Sequence, residues 1–506
     1  MGRAASCSRR IATLARPARA PSIPVMRVHL ITALTALTAL PALTAALPAQ
    51  IRPPTAADSE LVGRILLAED RRDSTDVALA EGARNKDPRI RTLAQLARAR
   101  IVDPQFVTRN TFPMLPAPPM WAEPVWRLRY RALTPNTGCG ALGTALADSA
   151  WAVRLRAADL VTAPCAAQAS VVGTLRRWVD ALEPEASRRS RGDVSWHAAA
   201  HAIVALARIA PGRARARLTR LARHRQWQVR MYAARAAAVL NDTARLRVLT
   251  ADPNDNVKAA AIESLAQLAG HADDDVFLAA LDADGAQAVR AAAIALHGSP
   301  RTDVRAAANT AFDRWVARGN APARDARVAL LEAAGRPASD DHPPVVRAEL
   351  PPRAIALALG ANVRLRVRLA SSSGGGAFVV QLRGDVAPMM AARVLALVHA
   401  HYYDGLTWQR VEPDFVIQGG SPGASEYIGF PQFFRDELGT VPHARGTVGM
   451  STRGHDTGDG QWFINLKDNL RLGHEYTVFA EVIDGMDVVD GILEGDAISS
   501  VKEVHP

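Results

Sequence analysis

Residues 408–420 read W-Q-R-V-E-P-D-F-V-I-Q-G-G, and this run decides how the last third of the chain is read. Arg410 stands five residues before an aromatic, Phe415, with Gln418 and a Gly-Gly turn behind them. From Asp414 the residues alternate as a half-buried strand does, so Arg410, Phe415 and Gln418 could converge on one small patch. Arg, Phe and Gln are common at sheet edges, and alone the run would carry little weight. Downstream, however, come R-G-T-V-G-M-S-T from Arg445 and G-Q-W-F-I-N from Gly460. Tyr402-Tyr403-Asp404-Gly405 precedes it, and Tyr476-Thr477-Val478-Phe479 follows.

Together these stretches resemble the cyclophilin family of peptidyl-prolyl cis-trans isomerases, over roughly Val363 to Val504. The resemblance implies a closed eight-stranded antiparallel β-barrel with two helices, a packed interior and a site on the outer face. It also implies the site residues. Arg410 would donate to the prolyl nitrogen and Gln418 would orient it. Phe415, Val416, Phe463 and Leu472 would wall the proline pocket, with Gln461 and the backbone of Thr452 holding the peptide on either side. Tyr476 stands where the family has a rim histidine. Trp462 replaces a second Phe, Ser451 and Thr452 replace Ala and Asn, and Arg471 precedes Leu472. The loop G-H-D-T-G-D-G from Gly454 lacks the family's Pro and Asn. No cofactor and no metal are implied, and His399, His401, His443, His455 and His474 read as scattered over surface loops and helix ends.

Periodicity alone gives a β pattern for residues 363–506. Val363–Leu369 alternates, S-S-S-G-G-G makes a turn, and Phe378–Leu382 returns. A helix is expected from about Ala387 to Ala400 with Pro388 in its first turn, and a second over Met486–Leu493.

The chain before residue 335 reads differently. From Ser59 onward, apolar-periodic segments of 10–17 residues are broken by D-P, P-N-D or Gly. Val229-Arg230, Val257-Lys258 and Val289-Arg290 recur at spacings of 28 and 32 residues. A period near 30 with two short helices per unit is the mark of an α-solenoid, and D/P-x-V-R-x-x-A-A resembles HEAT-type repeats. Such a stack supplies surface rather than chemistry. Trp151, Trp196, Trp227 and Trp315 read either as anchors for a partner or as fillers in an Ala-rich core. His197 and His201 have the i,i+4 spacing of a metal pair, but no third ligand is evident, so a zinc site is rejected. Residues 336–362, rich in Pro and charge, read as a semi-rigid linker holding two bodies apart.

The formal net charge of +11 is unevenly spread. Residues 1–50 hold six Arg and no acids, whereas residues 361–506 hold 12 basic and 18 acidic side chains. An Arg excess spread over the 310 residues from 51 to 360 reads as a solvated surface rather than a phosphate track. No nucleic-acid partner is expected. Met26-Arg27 and the Ala/Leu-rich run up to Gln50 read as a cleavable signal peptide occupying residues 1–49, with translation starting at Met1 or Met26. Pro41 and the short apolar length argue against a stable membrane span. An exported location, periplasmic or extracellular, follows, and there Cys139 and Cys165 could pair or remain two buried thiols.

The expectation is a multidomain α + β chain, with a HEAT-like α-solenoid over 51–335, a linker over 336–362 and a cyclophilin-like domain over 363–506. Its partners would be proline-containing polypeptides, with a further protein met on the solenoid surface. The first rival is a scaffold in which the solenoid does the biological work and the barrel binds proline peptides without turning them over; the second is binding of nucleic acid or anionic lipid by the basic solenoid.

Overall fold

The structure, a computed structural model, describes residues 53–103, 121–182, 196–342, 348–473 and 475–504. The expected signal peptide and His474 lie outside the described residues. Arg52–Pro506 forms one compact unit.

Alternation builds the C-terminal half. Strands β1 (Arg364–Leu369) and β2 (Ala377–Leu382) pair antiparallel, each burying every second side chain or more. They are followed by β3 (Arg410–Val411), β4 (Val416–Gly419), β5 (Thr447–Met450), β6 (Trp462–Asn465), β7 (Val478–Asp484) and β8 (Ile498–Val504). These form one antiparallel sheet in the order β3-β4-β6-β5-β7-β2-β1-β8. The sheet curls until its ends meet, where residues 405–408 hydrogen-bond to residues 495–498 and Thr407 bridges both Ser421 and Ala497. Phe378, Trp408, Trp462 and Phe479 fill the interior.

The helical chain divides in two. Helices α1 (Ala56–Arg71), α2 (Val77–Ala83) and α3 (Pro88–Val102) share one apolar core with the barrel. Then come α4 (Val125–Ala132), α5 (Cys139–Ala145), α6 (Trp151–Leu160) and α7 (Ala169–Asp180). The stack continues with α8 (Trp196–Ile209), α9 (Pro211–Leu221), α10 (Trp227–Val239), α11 (Thr243–Leu249) and α12 (Asp255–Ala269). It ends with α13 (Asp274–Ala280), α14 (Ala286–Leu296), α15 (Val304–Ala317) and α16 (Arg324–Ala333). Helices α8, α10, α12, α14 and α16 pack in sequence as one row. Runs of buried alanine such as Ala198–Ala200 and Ala291–Ala293 let the backbones approach.

Asp255 joins successive units of this row. Its Oδ2 accepts from the backbone N–H groups of Gln287 (2.9 Å) and Ala288 (3.2 Å), capping α14 from the helix before it. Gly285 makes this possible, because a Cβ there would sit 2.0 Å from Asp255 Oδ1. Many of the stack's arginines pair with its acids, as in Arg217–Asp180 and Arg230–Asp252. Trp196 and Trp315 are buried, and Trp151 and Trp227 pack partly buried against the same core, so all four serve as fillers. Cys139 and Cys165 form a disulfide.

Two expectations are corrected. Residues 56–102 are not the first repeats of the stack, because the Leu61, Val62, Ile65 and Leu66 face of α1 packs on the barrel side. The segment read as a spacer does not hold two bodies apart. Its C-terminal part coils into α17 (Ala354–Ala358) and buries Leu357 against α1 and α18 (Pro388–His399). Pro-rich composition predicts extension only where no apolar residue finds a core. Helix α19 (Met486–Asp490) is three residues shorter than expected.

Buried polar groups tie the helices to the barrel. Arg100 pairs with Glu69 at 3.0 Å and donates to the carbonyls of Leu438 and Val386. Nearby, the Glu437 carboxylate accepts from Met389 N (3.2 Å) and Met390 N (2.6 Å) at the start of α18. Burial, reinforced by the charge of Glu69, pushes the Glu437 carboxyl up to about 7. A folded pKa above the unfolded one means the native state binds the extra proton, so stability falls as pH rises through the window from about 4.5 to about 7. Buried Asp436, raised to about 6, acts in the same direction. Thermal unfolding between pH 5 and 8 should show a loss on the order of 2 kcal/mol, and Glu437→Gln should flatten much of that slope. A slope identical in the variant would exclude Glu437 as its source.

Candidate active site

The site begins as a hairpin. Glu412 N donates to Val416 O and Phe415 N to Glu412 O, both at 2.8 Å, which folds β3 back on β4 and sets Arg410 opposite Gln418. Side chains on adjacent strands then sort by the pleat. Ile417, Trp462 and Ile464 point into the barrel, while Val416 and Phe463 emerge on its outer face. Phe463 lies across from Gly449, where a Cβ would meet the ring at 2.4 Å, so glycine is what lets the ring lie on the sheet. Leu472 and Tyr476 complete the patch, with Tyr476 edge-on to Phe463 at 5.6 Å.

These residues enclose an open cavity of about 140 Å³, walled by Phe415, Val416, Phe463, Leu472 and Tyr476, with Arg410, Gln418 and Thr452 at its polar side. The Arg410 side chain is 41% exposed, and it makes only two loose ion pairs beyond hydrogen-bonding distance, with Glu412 at 3.9 Å and Glu426 at 3.7 Å. Its donors are therefore available to a ligand. The cation of Arg471 sits 4.7 Å over the Phe415 ring.

Two predicted roles change. Gln461 is fully buried beneath the site rather than in its wall. Its amide donates to Glu426 O (3.1 Å) and Ile428 O (3.2 Å) and accepts from Gln409 (2.8 Å) and Gln418 (3.3 Å). A glutamine with its hydrogen-bonding capacity so used supports the site floor and leaves little to hold a peptide. The Gln418 side chain donates to Ser451 Oγ at 3.0 Å and to Gln461 at 3.3 Å, and among the described residues no side-chain hydrogen bond joins it to Arg410, its backbone partner across the hairpin. The guanidinium is placed instead by its strand and by the field of Glu412 and Glu426.

Four contributors escaped the sequence reading as site residues: Glu426, Ser451, Arg453 and His443. The first three line the cavity. Glu426 and Arg453 sit in loops whose path no local pattern gives. His443, read as a surface histidine, is buried and stacks on Phe463 with centroids 5.7 Å apart. It contacts Tyr476 O through Nε2 at 3.1 Å and Asn465 through Nδ1 at 3.2 Å, so it fixes the ring wall from behind.

With this geometry in place, comparison with known proteins is decisive. Residues 366–505 match the family model "Cyclophilin type peptidyl-prolyl cis-trans isomerase/CLD". A peptidyl-prolyl cis-trans isomerase of Schizosaccharomyces pombe is 32% identical over 153 residues, covering 29% of this chain and 94% of that protein. The chain belongs to the cyclophilin-type peptidyl-prolyl cis-trans isomerases. Peptidyl-prolyl cis-trans isomerase B of Bacillus subtilis is 32% identical, covering 25% of this chain and 91% of that protein. The Helicobacter pylori isomerase is 34% identical, covering 25% and 80%. A crystal structure of a Cryptosporidium parvum cyclophilin is 21% identical, with a TM-score of 0.27, covering 29% of this chain and 99% of that one.

The cyclophilin domain does not present its site unaided. Asn256 of α12 donates to Gly423 O at 2.8 Å, and Arg290 of α14 lies 4.0 Å over the Tyr427 ring. Asp325 of α16 pairs with Arg453 at 2.6 Å. The loop carrying Glu426 is thus gripped by α12 and α14, while α16 holds Arg453, whose guanidinium in turn donates to Glu426 O.

Proposed function

We propose that this isomerase turns X–Pro bonds through Arg410, with Phe415 beside it, Gln418 bracing the polar side through Ser451, and Val416, Thr452, Phe463, Leu472 and Tyr476 as the proline socket. Rotation about a peptide bond is opposed by a barrier of about 18–20 kcal/mol, because the nitrogen lone pair is delocalised into the carbonyl. An N–H donor aimed at the prolyl nitrogen stabilises the twisted state in which that lone pair is localised. Arginine suits this because it is charged at any working pH and offers a fixed fork of donors. The observation that carries the reading is a half-exposed guanidinium, held only by distant acids, at the edge of an apolar cavity of about 140 Å³.

The clients proposed are proline-containing polypeptides met during folding outside the cytoplasm. Support for export comes from the leader-like run before Gln50 and from the Cys139–Cys165 disulfide, which belongs to oxidising compartments. Fractionation of the source cell should place the chain outside the cytoplasm with this disulfide oxidised. Recovery in the cytosol with two free thiols would refute export. Exposed apolar side chains on the stack, Val248 and Ile294 among them, support a role in meeting a protein partner.

The folding role is tested by refolding a protein limited by proline isomerisation, a step on the order of tens to hundreds of seconds unaided. Catalytic amounts of the full chain should shorten that phase about tenfold or more. No acceleration, with short peptides still turned over, would confine the activity to small substrates.

A further inference from the structure

Arg410 belongs to the walls of two cavities. One is the proline socket. The other is a chamber of about 390 Å³, more than twice as large, closed on one side by the β3–β4 hairpin and on the other by α6, α8 and α10. A chain seated with its proline beside Arg410 therefore continues directly into a space that the helical stack builds.

The charges in this chamber are not evenly satisfied. Its acids have partners: Asp159 contacts His201 at 2.7 Å, Glu494 accepts from Tyr232 at 3.0 Å, and Glu412 faces Arg410. Two of its arginines have no acidic partner among the described residues, Arg235 donating only to Met231 Sδ at 3.9 Å. Arg156 lies 5.5 Å over the Tyr130 ring and Arg235 lies 4.6 Å over the Tyr232 ring, and neither makes an ion pair among the described residues. The Nε of Arg156 is buried without a hydrogen-bond partner. Glu263, whose field reaches Arg235, pairs with Arg290 instead at 4.0 Å. Stacking on tyrosine faces leaves the edges of a guanidinium, where its N–H donors lie, open to a carboxylate.

We propose that this chamber is a second subsite of the isomerase, which takes an Asp or Glu side chain of the client flanking the proline and binds it through Arg156 and Arg235. The proposal rests on the assignment of the proline socket at Arg410. It makes the helical stack a specificity wall for the same groove.

The test uses the full chain and a set of short X–Pro peptides carrying Asp or, as its neutral isostere, Asn at each of the four positions on either side of the proline. Dissociation constants come from NMR titration and turnover from exchange spectroscopy on the same samples. At one position or more, Asp should bind roughly fivefold tighter than Asn in low salt, and the ratio should approach one in about 1 M salt. Arg156→Gln should bring the low-salt ratio close to one, and Arg235→Glu should invert it in favour of Lys over Asn at that position. A gain of preference of that kind cannot arise from misfolding. Equal binding of Asp and Asn at every position, or a ratio untouched by both substitutions, overturns the subsite. Turnover separates the two readings. A charge preference without turnover would remove the isomerase role of Arg410 and leave the subsite standing, and turnover without a preference does the reverse.

Discussion

Arg410→Ala lowers kcat/KM for X–Pro isomerisation by about 10²–10³-fold, the loss expected when one preorganised donor to a developing lone pair is removed. Thermal stability stays within about 0.5 kcal/mol of wild type, because the side chain is 41% exposed and its nearest acids stand at 3.7 and 3.9 Å. Arg410→Lys should recover only a small part of the rate, since an ammonium keeps the charge without the planar fork. Exchange spectroscopy on a short proline peptide, with thermal unfolding beside it, reads both quantities. Activity within threefold of wild type in Arg410→Ala would remove this residue from the mechanism and leave the cavity as a binding site.

The second large effect concerns stability. Asp490, at the end of α19, is the carboxylate between two buried arginines: Arg445 of the barrel at 2.6 Å and Arg127 of α4 at 3.0 Å. Arg127 is fully buried, and that burial, followed by the nearby charge of Arg445, holds its guanidinium below its usual pKa. It also donates to the carbonyls of Pro413 (2.8 Å) and Leu466 (2.7 Å), which flank the site hairpin and β6. Asp490→Asn leaves Arg445 and Arg127 facing each other out of water, with only Glu123 still 3.7 Å from Arg127, and should cost about 3 kcal/mol. The drop would appear as a lowered Tm. Adding Arg127→Met should return part of it, because the uncompensated charge is then gone. A Tm within 1 °C of wild type in the single variant would mean water reaches this cluster freely. Because Arg127 grips the hairpin that carries Arg410, the same variant should also lose activity before it unfolds globally.

The second effect traces to contacts between the helical chain and the barrel, and these were the hardest features to read in advance. The resemblance put Val416 and Phe463 in the pocket wall, and the pleat, a property of neighbouring residues, is what sends Ile417 and Trp462 inward beside them. The helix after Pro388 and the alanine-rich repeats were legible for the same reason. Pairings between residues more than a hundred positions apart leave no periodic trace. Arg100 with Leu438, Arg127 with Asp490 and Asp325 with Arg453 are of this kind. Each looks in the sequence like one more surface charge in an Arg-rich chain.

Local pattern therefore accounted for most strands, the longer helices and the family, because each depends on spacings of a few residues along one element. The position of Gln461 under the floor, the stacking of His443 behind Phe463 and the use of the stack as a wall beside Arg410 came from packing. Loops 421–430 and 451–460 have no internal period. Their course is set by which distant donors and acids can satisfy their buried polar groups, and that is a property of the assembled chain.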